Sequence, residues 1–364
     1  MSVNQGMATL SGDFLMAALL IYSLAVVAFA GDFAFGRPRR AAVRVAVPRR
    51  VAARTPVGAV IDGADGADGG PDSPVAGSPL ISGRAPALAG AAPGDSLPAA
   101  SVSAWRAIRQ AGNWVQAGLA FSALGALAQL VAVIARGLAV GRAPWGNMYE
   151  FITALTCIAA LFFLYVMIRY RVWALGVFVM GAVVIALGLA ETLIYTAAGP
   201  LVPALQSYWL SIHVTAMTLA TGIFFVAFVL GVLYLVAQGY HARVAAGKAA
   251  GGNGLIARIP SAEQLDKLTY RTVIFGFPVW TFGVIAGAIW ADQAWGRYWG
   301  WDPVETWAFI TWVLYACYLH ARATAGWRGT RAHVIQLLGF ASLAANMLVV
   351  QVFITGMHSY AGVG

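Results

Sequence analysis

Charged side chains are scarce in this sequence. They make up 10% of its 364 residues, whereas a soluble domain carries about 25%. This scarcity excludes an ordinary soluble domain, and an apolar share of 60% in runs close to 20 residues long predicts an all-α, polytopic membrane helix bundle. The net charge of +9 is therefore attributed to cytoplasmic loops beside membrane lipid, and no nucleic-acid partner is predicted.

Cysteine is nearly absent as well. The two cysteines, Cys157 and Cys317, each lie inside an apolar run, so we expect small core residues and no disulfide. The sequence contains no Cys-x-x-Cys-His motif, which excludes covalent attachment of heme c to this chain itself.

The first apolar run, Phe14 to Ala30, has no basic residue before it and seven arginines soon after it. This pattern predicts a retained N-terminal transmembrane helix within residues 1–30, with its N-terminus outside. Residues 31–104 are mostly Ala, Gly, Pro, Asp and Ser without apolar periodicity, which predicts a disordered cytoplasmic linker. Residues 105–364 then form the main membrane domain.

Seven further runs within that domain are long enough to cross a membrane. They are Asn113–Ala135, Phe151–Ile168, Trp173–Ala190, Trp209–Ala237, Val273–Trp290, Val304–His320 and Val334–Thr355. About eight transmembrane helices place both termini outside. With this threading, 20 of the 23 lysine and arginine residues fall in inner segments, as the positive-inside rule requires for a multi-pass protein of the cell membrane.

A segment rich in tryptophan, Trp295 to Trp307, lies between two of these runs and faces the extracytoplasmic side in this threading. Trp295 and Trp299 are four residues apart, so their rings share one face if the segment is helical. Asp302 and Glu305 have the spacing of an N-cap and its partner at the start of a helix. From the residues alone, a tryptophan belt at a membrane interface followed by a capped helix remains open.

Two histidines fall at outer ends of predicted spans, His213 and His358. A single interfacial histidine is more often an anchor than a ligand, but two of them flanking an aromatic loop are the parts of a bis-imidazole heme site. His320 and His333 lie at the opposite side, and His241 is most simply a solvated loop residue.

The segment Trp295-Gly-Arg-Tyr-Trp299-Gly-Trp301-Asp302 resembles the WWD signature of heme-handling membrane proteins, in particular the CcsA/ResC family of System II cytochrome c biogenesis. Pro144-Trp-Gly-Asn-Met-Tyr-Glu150 resembles a second family segment, and the resemblance covers roughly residue 105 to the C-terminus. It implies that His213 and His358 bind heme iron at an outer site and that Trp295, Trp299, Trp301 and Asp302 contact the heme. It also implies that His320 binds heme iron at an inner site.

The resemblance implies a heme-handling subunit of a cytochrome c synthetase complex. Such a subunit moves heme b outward and presents it to the Cys-x-x-Cys-His thiols of an apocytochrome c. A second membrane protein of the ResB/Ccs1 type is an implied partner, and a thiol-reducing thioredoxin-like protein is a further one. The chain needs no catalytic nucleophile or general acid of its own. A different heme transporter or chaperone with the same loop, a respiratory cytochrome b-like subunit, and a scaffold without cofactor remain alternatives.

Overall fold

The structure is a computed structural model that describes residues 3–36, 104–200, 207–248, 255–324 and 326–358. Every regular element in these ranges is helical, and they contain no strand. The predicted helical membrane class is confirmed. Most of the predicted linker lies outside the described residues.

Nine helices are numbered here in chain order. They are α1 Gln5–Phe35, α2 Ala104–Arg109, α3 Asn113–Val140, α4 Met148–Tyr170, α5 Gly176–Leu193, α6 Tyr208–Ala245, α7 Ala262–Trp295, α8 Pro303–Ala323 and α9 Thr330–Ala345. A short 3₁₀ turn, Trp173–Leu175, precedes α5. A wide π-helical turn, Asn346–Val350, and the short turn Gln351–Phe353 continue α9.

All eight predicted runs are helical, but several helices extend beyond their apolar run. The helix α7 begins at Ala262 rather than Val273, because Ser261 accepts a hydrogen bond from the backbone N–H of Gln264 and caps a polar first turn. The helix α1 continues to Phe35, so the first residues of the predicted linker are helical. Apolarity marks the buried part of a helix, whereas caps mark its ends.

Seven helical segments among the described residues are long and apolar enough to cross a membrane, against eight predicted. The helix α8 is not among them, because threonine, tryptophan, tyrosine and histidine dilute its apolar side chains. It nevertheless packs against α7 and α9 as part of the bundle.

The first helix, α1, packs closely on α3 and also contacts α5. The close approach depends on Gly118 and Gly125 of α3. A Cβ atom at either position would lie 2.6 Å from the ring of Phe29 or Tyr22 of α1. Small residues of this kind let helix backbones approach in a membrane. The N-terminal helix is therefore part of the same compact unit as α3–α9.

Two buried cores meet at α6. One is formed by α1, α3, α4, α5 and one side of α6. The other is formed by α6, α7, α8 and α9 around Phe224, Trp280 and Tyr315. The second core leads to the end of the bundle where α7 ends and α8 begins, which we call the cleft end. The opposite end, where α8 ends and α9 begins, we call the far end.

Candidate functional site

A cleft opens at the cleft end of α6, α7 and α8. Its lining includes four of the predicted site residues, His213, His358, Trp295 and Trp299, and the additional tryptophans 145, 280 and 290. About 180 Å³ inside it is accessible to the centres of water molecules. The lining is predominantly apolar and aromatic with a few polar groups, which is the usual composition of a cofactor or ligand site.

His213 lies on the second turn of α6 and is fixed by α7. Its Nδ1 lies 2.7 Å from the backbone oxygen of Gly283. Because a carbonyl oxygen only accepts hydrogen bonds, Nδ1 carries the proton and Nε2 carries the lone pair of the neutral ring. A Cβ atom at residue 287 would lie 2.6 Å from the His213 ring, so Gly287 provides the space in which the imidazole sits.

His358 is fixed by a carboxylate. Its Nδ1 lies 2.9 Å from Oδ2 of Asp302, which again places the ring proton on Nδ1. The same carboxylate accepts the backbone N–H of Met357 at 2.6 Å and that of Val304 at 3.1 Å. Burial alone would raise the pKa of Asp302, but the hydrogen bonds from His358 and from these N–H groups hold it below its ordinary value.

Asp302 therefore has two roles. It is the N-cap of α8, with Glu305 accepting the backbone N–H groups of Asp302 and Gly300 in return, so the predicted capping box is present. It also supplies the hydrogen-bond acceptor that a histidine ligand requires. The spacing of the residues revealed the first role only, because His358 is 56 positions away in the sequence.

Trp290 lies between the two histidines. Its ring is 6.1 Å from the His213 ring, with an interplanar angle of 8°, and 5.9 Å from the His358 ring. Trp295 packs on the edge of Trp290 at 4.8 Å and lies 5.0 Å from His358. Trp290 was not among the predicted site residues, because it sits at the predicted end of an apolar run and resembles an ordinary interface anchor.

Of the predicted tryptophans of the loop, two line the cleft and one does not. The helix α7 ends at Trp295, with Gly296 in the left-handed region at φ 71°, so Trp295 and Trp299 do not share a helical face. Both nevertheless line the cleft. Trp301 does not line it: its side chain is 67% exposed and packs edge-on against Trp299 at 5.8 Å.

A buried ion-pair network supports the loop that begins with Trp145. Glu150 is fully buried and pairs with Arg136 at 2.9 Å and with Arg142 at 2.7 Å. It also accepts the backbone N–H of Gly146, while Asn147 caps α4 by accepting the backbone N–H of Glu150. The sequence pattern does not show that both arginines converge on one carboxylate.

The remaining histidines and cysteines do not reach the cleft. His320 is exposed near the far end of α8, and His241 is exposed near the end of α6. His333 is fully buried at the far end, where its ring stacks on Tyr234 at 3.6 Å. Cys157 is buried as predicted, but the prediction for Cys317 is wrong: it lies on the exposed face of α8.

Residues 145–358 match the family model described as cytochrome C assembly protein. This range begins and ends at cleft residues, Trp145 and His358. The cytochrome c biogenesis protein CcsA of Guillardia theta is 38% identical over 242 residues, which cover 62% of this chain and 79% of that protein. The CcsA protein of Synechococcus elongatus (strain ATCC 33912 / PCC 7942 / FACHB-805) is 34% identical over 297 residues, 67% of this chain and 86% of the relative.

A solved structure titled cytochrome c heme lyase CcmF is similar in fold. The TM-score is 0.55 at 16% sequence identity, and the match covers 96% of this chain and 47% of that one. The chain thus spans about half the length of that protein, and at this identity the likeness concerns the fold alone. Together with the family match over the cleft-forming helices, the CcsA relatives show that this membrane protein belongs to the CcsA family of cytochrome c biogenesis proteins.

Proposed function

We propose that this protein binds heme in the cleft and presents it for attachment to apocytochrome c. His213 and His358 are the axial ligands in this proposal. The observation that carries it is the pair of oriented imidazoles in one cleft: each holds its Nδ1 proton on an oxygen acceptor, at Gly283 and at Asp302. Iron binds the lone pair on the other nitrogen, and a fixed Nδ1–H strengthens that ligand.

The cleft residues suit heme as cargo. A porphyrin is a large flat apolar group, and Trp290, Trp295 and Trp299 offer it aromatic surfaces. Its propionates are anionic and accept hydrogen bonds. The indole N–H groups of Trp145 and Trp280, both in residues that line the cleft, are buried without a partner among the described residues. Such donors are suited to polar groups of the cargo.

The chemistry then requires positioning more than acid–base catalysis. Each thiol of the apocytochrome motif adds across a heme vinyl group: a carbon–sulfur bond forms and the thiol hydrogen ends on the neighbouring carbon. The protein contributes by holding the macrocycle near the thiols. It also allows a histidine of the substrate to replace one of its own axial histidines on the iron. The relatives named CcsA support this role in cytochrome c maturation.

We place the cleft at the extracytoplasmic face, supported by the distribution of lysine and arginine along the sequence. A membrane partner of the ResB type, a thiol-reducing protein and a heme-receiving role for His320 belong to the same proposal. Exposure of His320 on α8 supports the last point, because a ligand completed by a second protein must be accessible from outside this chain. If His320 receives heme first, His320→Gly lowers total bound heme, whereas His241→Gly, at another exposed histidine, does not.

A visible spectrum of the purified complex with the ResB-type partner tests the proposal. Material from heme-replete cells is expected to show a Soret band and, on reduction, the spectrum of low-spin b-type heme with two histidine ligands. The absence of a Soret band in the folded complex would contradict it.

A further inference from the structure

Four fully buried residues at the far half of the α6–α9 core form a cluster of polar side chains, which we call the buried polar cluster. It consists of Tyr315 and Tyr318 of α8 and His333 and Gln336 of α9. By distance and angle, five of their polar atoms make no hydrogen bond among the described residues, although the Tyr315 hydroxyl interacts electrostatically with the side chain of Gln336. These atoms are the two tyrosine hydroxyls, Nε2 of His333, and both side-chain polar atoms of Gln336.

The side chains that carry these atoms are packed inside the bundle. Tyr315 stacks on Phe224 at 3.9 Å, and the His333 ring lies flat on Tyr234. The backbone of α6 approaches the amide closely, since a Cβ atom at Gly231 would lie 2.3 Å from Oε1 of Gln336. The side chains are thus held in place by packing, and rotation toward lipid headgroups does not relieve them.

The cluster adjoins a charged pair at the far end. Arg322 pairs with Asp266 at 2.5 Å, and Nδ1 of His333 lies 3.7 Å from the same carboxylate oxygen. Because Nδ1 of His333 also lies 3.1 Å from the carbonyl oxygen of Gly329, its proton is on Nδ1 and its buried Nε2 is an acceptor. Donors and acceptors are therefore both present in the cluster.

Polar residues continue from the cluster toward the cleft. Thr311 and Ser342 share a hydrogen bond of 2.9 Å between α8 and α9, one turn beyond Tyr315. Asn346 follows: it lines the cleft and has a buried Oδ1 without a partner among the described residues. The polar seam from Arg322 to the start of α8 at Pro303 is about 28 Å long at the rise of an α-helix, close to the thickness of a hydrocarbon core.

The geometry points to an internal water site: we propose that the buried polar cluster binds water molecules inside the bundle. Buried polar groups are nearly always hydrogen-bonded, and waters with two to four polar partners are the usual partners where side chains do not suffice. In lipid no other source of hydrogen bonds is available. The seam through Thr311 and Ser342 extends this hydration toward the cleft.

A second buried tyrosine–glutamine pair provides a matched control. Tyr22 of α1 is also fully buried, but its hydroxyl donates to Oε1 of Gln129 at 2.9 Å. The amide nitrogen of Gln129 donates to Thr153 and Thr156. This pair satisfies itself, so no water is needed there.

Radiolytic hydroxyl labelling of the intact protein in lipid nanodiscs tests the proposal, because radicals form from water and modify side chains beside bound water. Tyr315 and Tyr318 are expected to be modified several-fold faster than Tyr22, although all three are fully buried. Equal rates would overturn the proposal.

A pair of variants tests whether the cluster itself holds the water. Gln336→Leu removes two polar atoms and is expected to reduce labelling of Tyr315 about three-fold or more. Gln129→Leu, in the control pair, is expected to leave it unchanged. If Gln336→Leu left labelling of Tyr315 at the wild-type rate, radicals would reach it through transient opening, and the proposal would fail. If a variant does not fold, the comparison of Tyr315 and Tyr318 with Tyr22 in the unaltered protein still tests the proposal.

Discussion

Two glutamines are buried among the described residues, Gln129 and Gln336, and they lie in regions with opposite hydrogen bonding. Around α1, α3 and α4, Gln129 is bonded to Tyr22, Thr153 and Thr156. Around α6 to α9, the polar atoms of Gln336 have no partner among the described residues.

The two regions also differ in the charged and aromatic groups that they bury. In the first region Glu150 is enclosed by two arginines, whereas in the second the cleft presents two imidazoles and several indoles. A membrane interior makes unsatisfied polar groups costly, so a region that keeps them is one where water or cargo is to be accommodated. Under the proposed function, the first region serves mainly as the scaffold and the second holds most of the heme-binding cleft.

The largest effect is expected in the scaffold. Glu150→Leu leaves Arg136 and Arg142 as buried, uncompensated charges, which costs about 3–5 kcal/mol of folding free energy. Equilibrium unfolding in mixed micelles measures this loss. The matched variant Glu263→Gln removes an exposed pair with Lys267 and is expected to cost under about 0.5 kcal/mol. Similar small effects for both variants would show that the Glu150 network does not support the fold.

A smaller effect separates the two tyrosine–glutamine pairs. Tyr22→Phe leaves Oε1 of Gln129 buried without its donor, so we expect a loss of about 1–3 kcal/mol. Tyr315→Phe removes a hydroxyl that makes no hydrogen bond of full geometry among the described residues, and water bound as we propose can rearrange, so its cost is expected to be lower. Unfolding of the two variants side by side makes the comparison, and a larger cost at Tyr315 would reverse our assignment of scaffold and functional regions.

The next effect concerns the cleft. Asp302→Asn keeps an N-cap residue for α8 but replaces the carboxylate that accepts the Nδ1 proton of His358. Loss of such an acceptor costs about 10–100-fold in metal affinity, and the remaining amide oxygen places the expected loss near 10-fold. Heme titration followed at the Soret band measures it. Ser261→Ala, which removes the N-cap of α7 and does not line the cleft, serves as the control and is expected to change affinity little.

Much of this architecture is predictable from sequence. Apolar runs located all eight long helices of the described bundle, seven of which are apolar enough to cross a membrane. Asp302-Pro303-Val304-Glu305 predicted the start of α8 because capping is local in the chain. The lower apolarity of α8 is also visible in its sequence, but the length of the run Val304–His320 alone led to its prediction as a membrane span.

The contacts that give the site its chemistry were not predictable. The acceptor for His213 is a backbone carbonyl, at Gly283, and backbone atoms leave no mark on sequence pattern. The position of Trp290 between the histidines depends on how α6 and α7 pack. Trp301 is exposed and has a left-handed backbone at φ 56°, which a non-glycine residue rarely adopts and which its sequence does not indicate.

The most direct test of the central claim is imidazole rescue of the cleft histidines. His213→Gly and His358→Gly each remove one proposed ligand and leave space that added imidazole can fill. We predict that both variants lose cytochrome c assembly and the low-spin heme spectrum, and that imidazole partly restores both properties. His241→Gly should retain them without imidazole. Assembly and a bis-histidine spectrum that persist in His213→Gly or His358→Gly, without imidazole, would contradict the assignment of the cleft as the heme site.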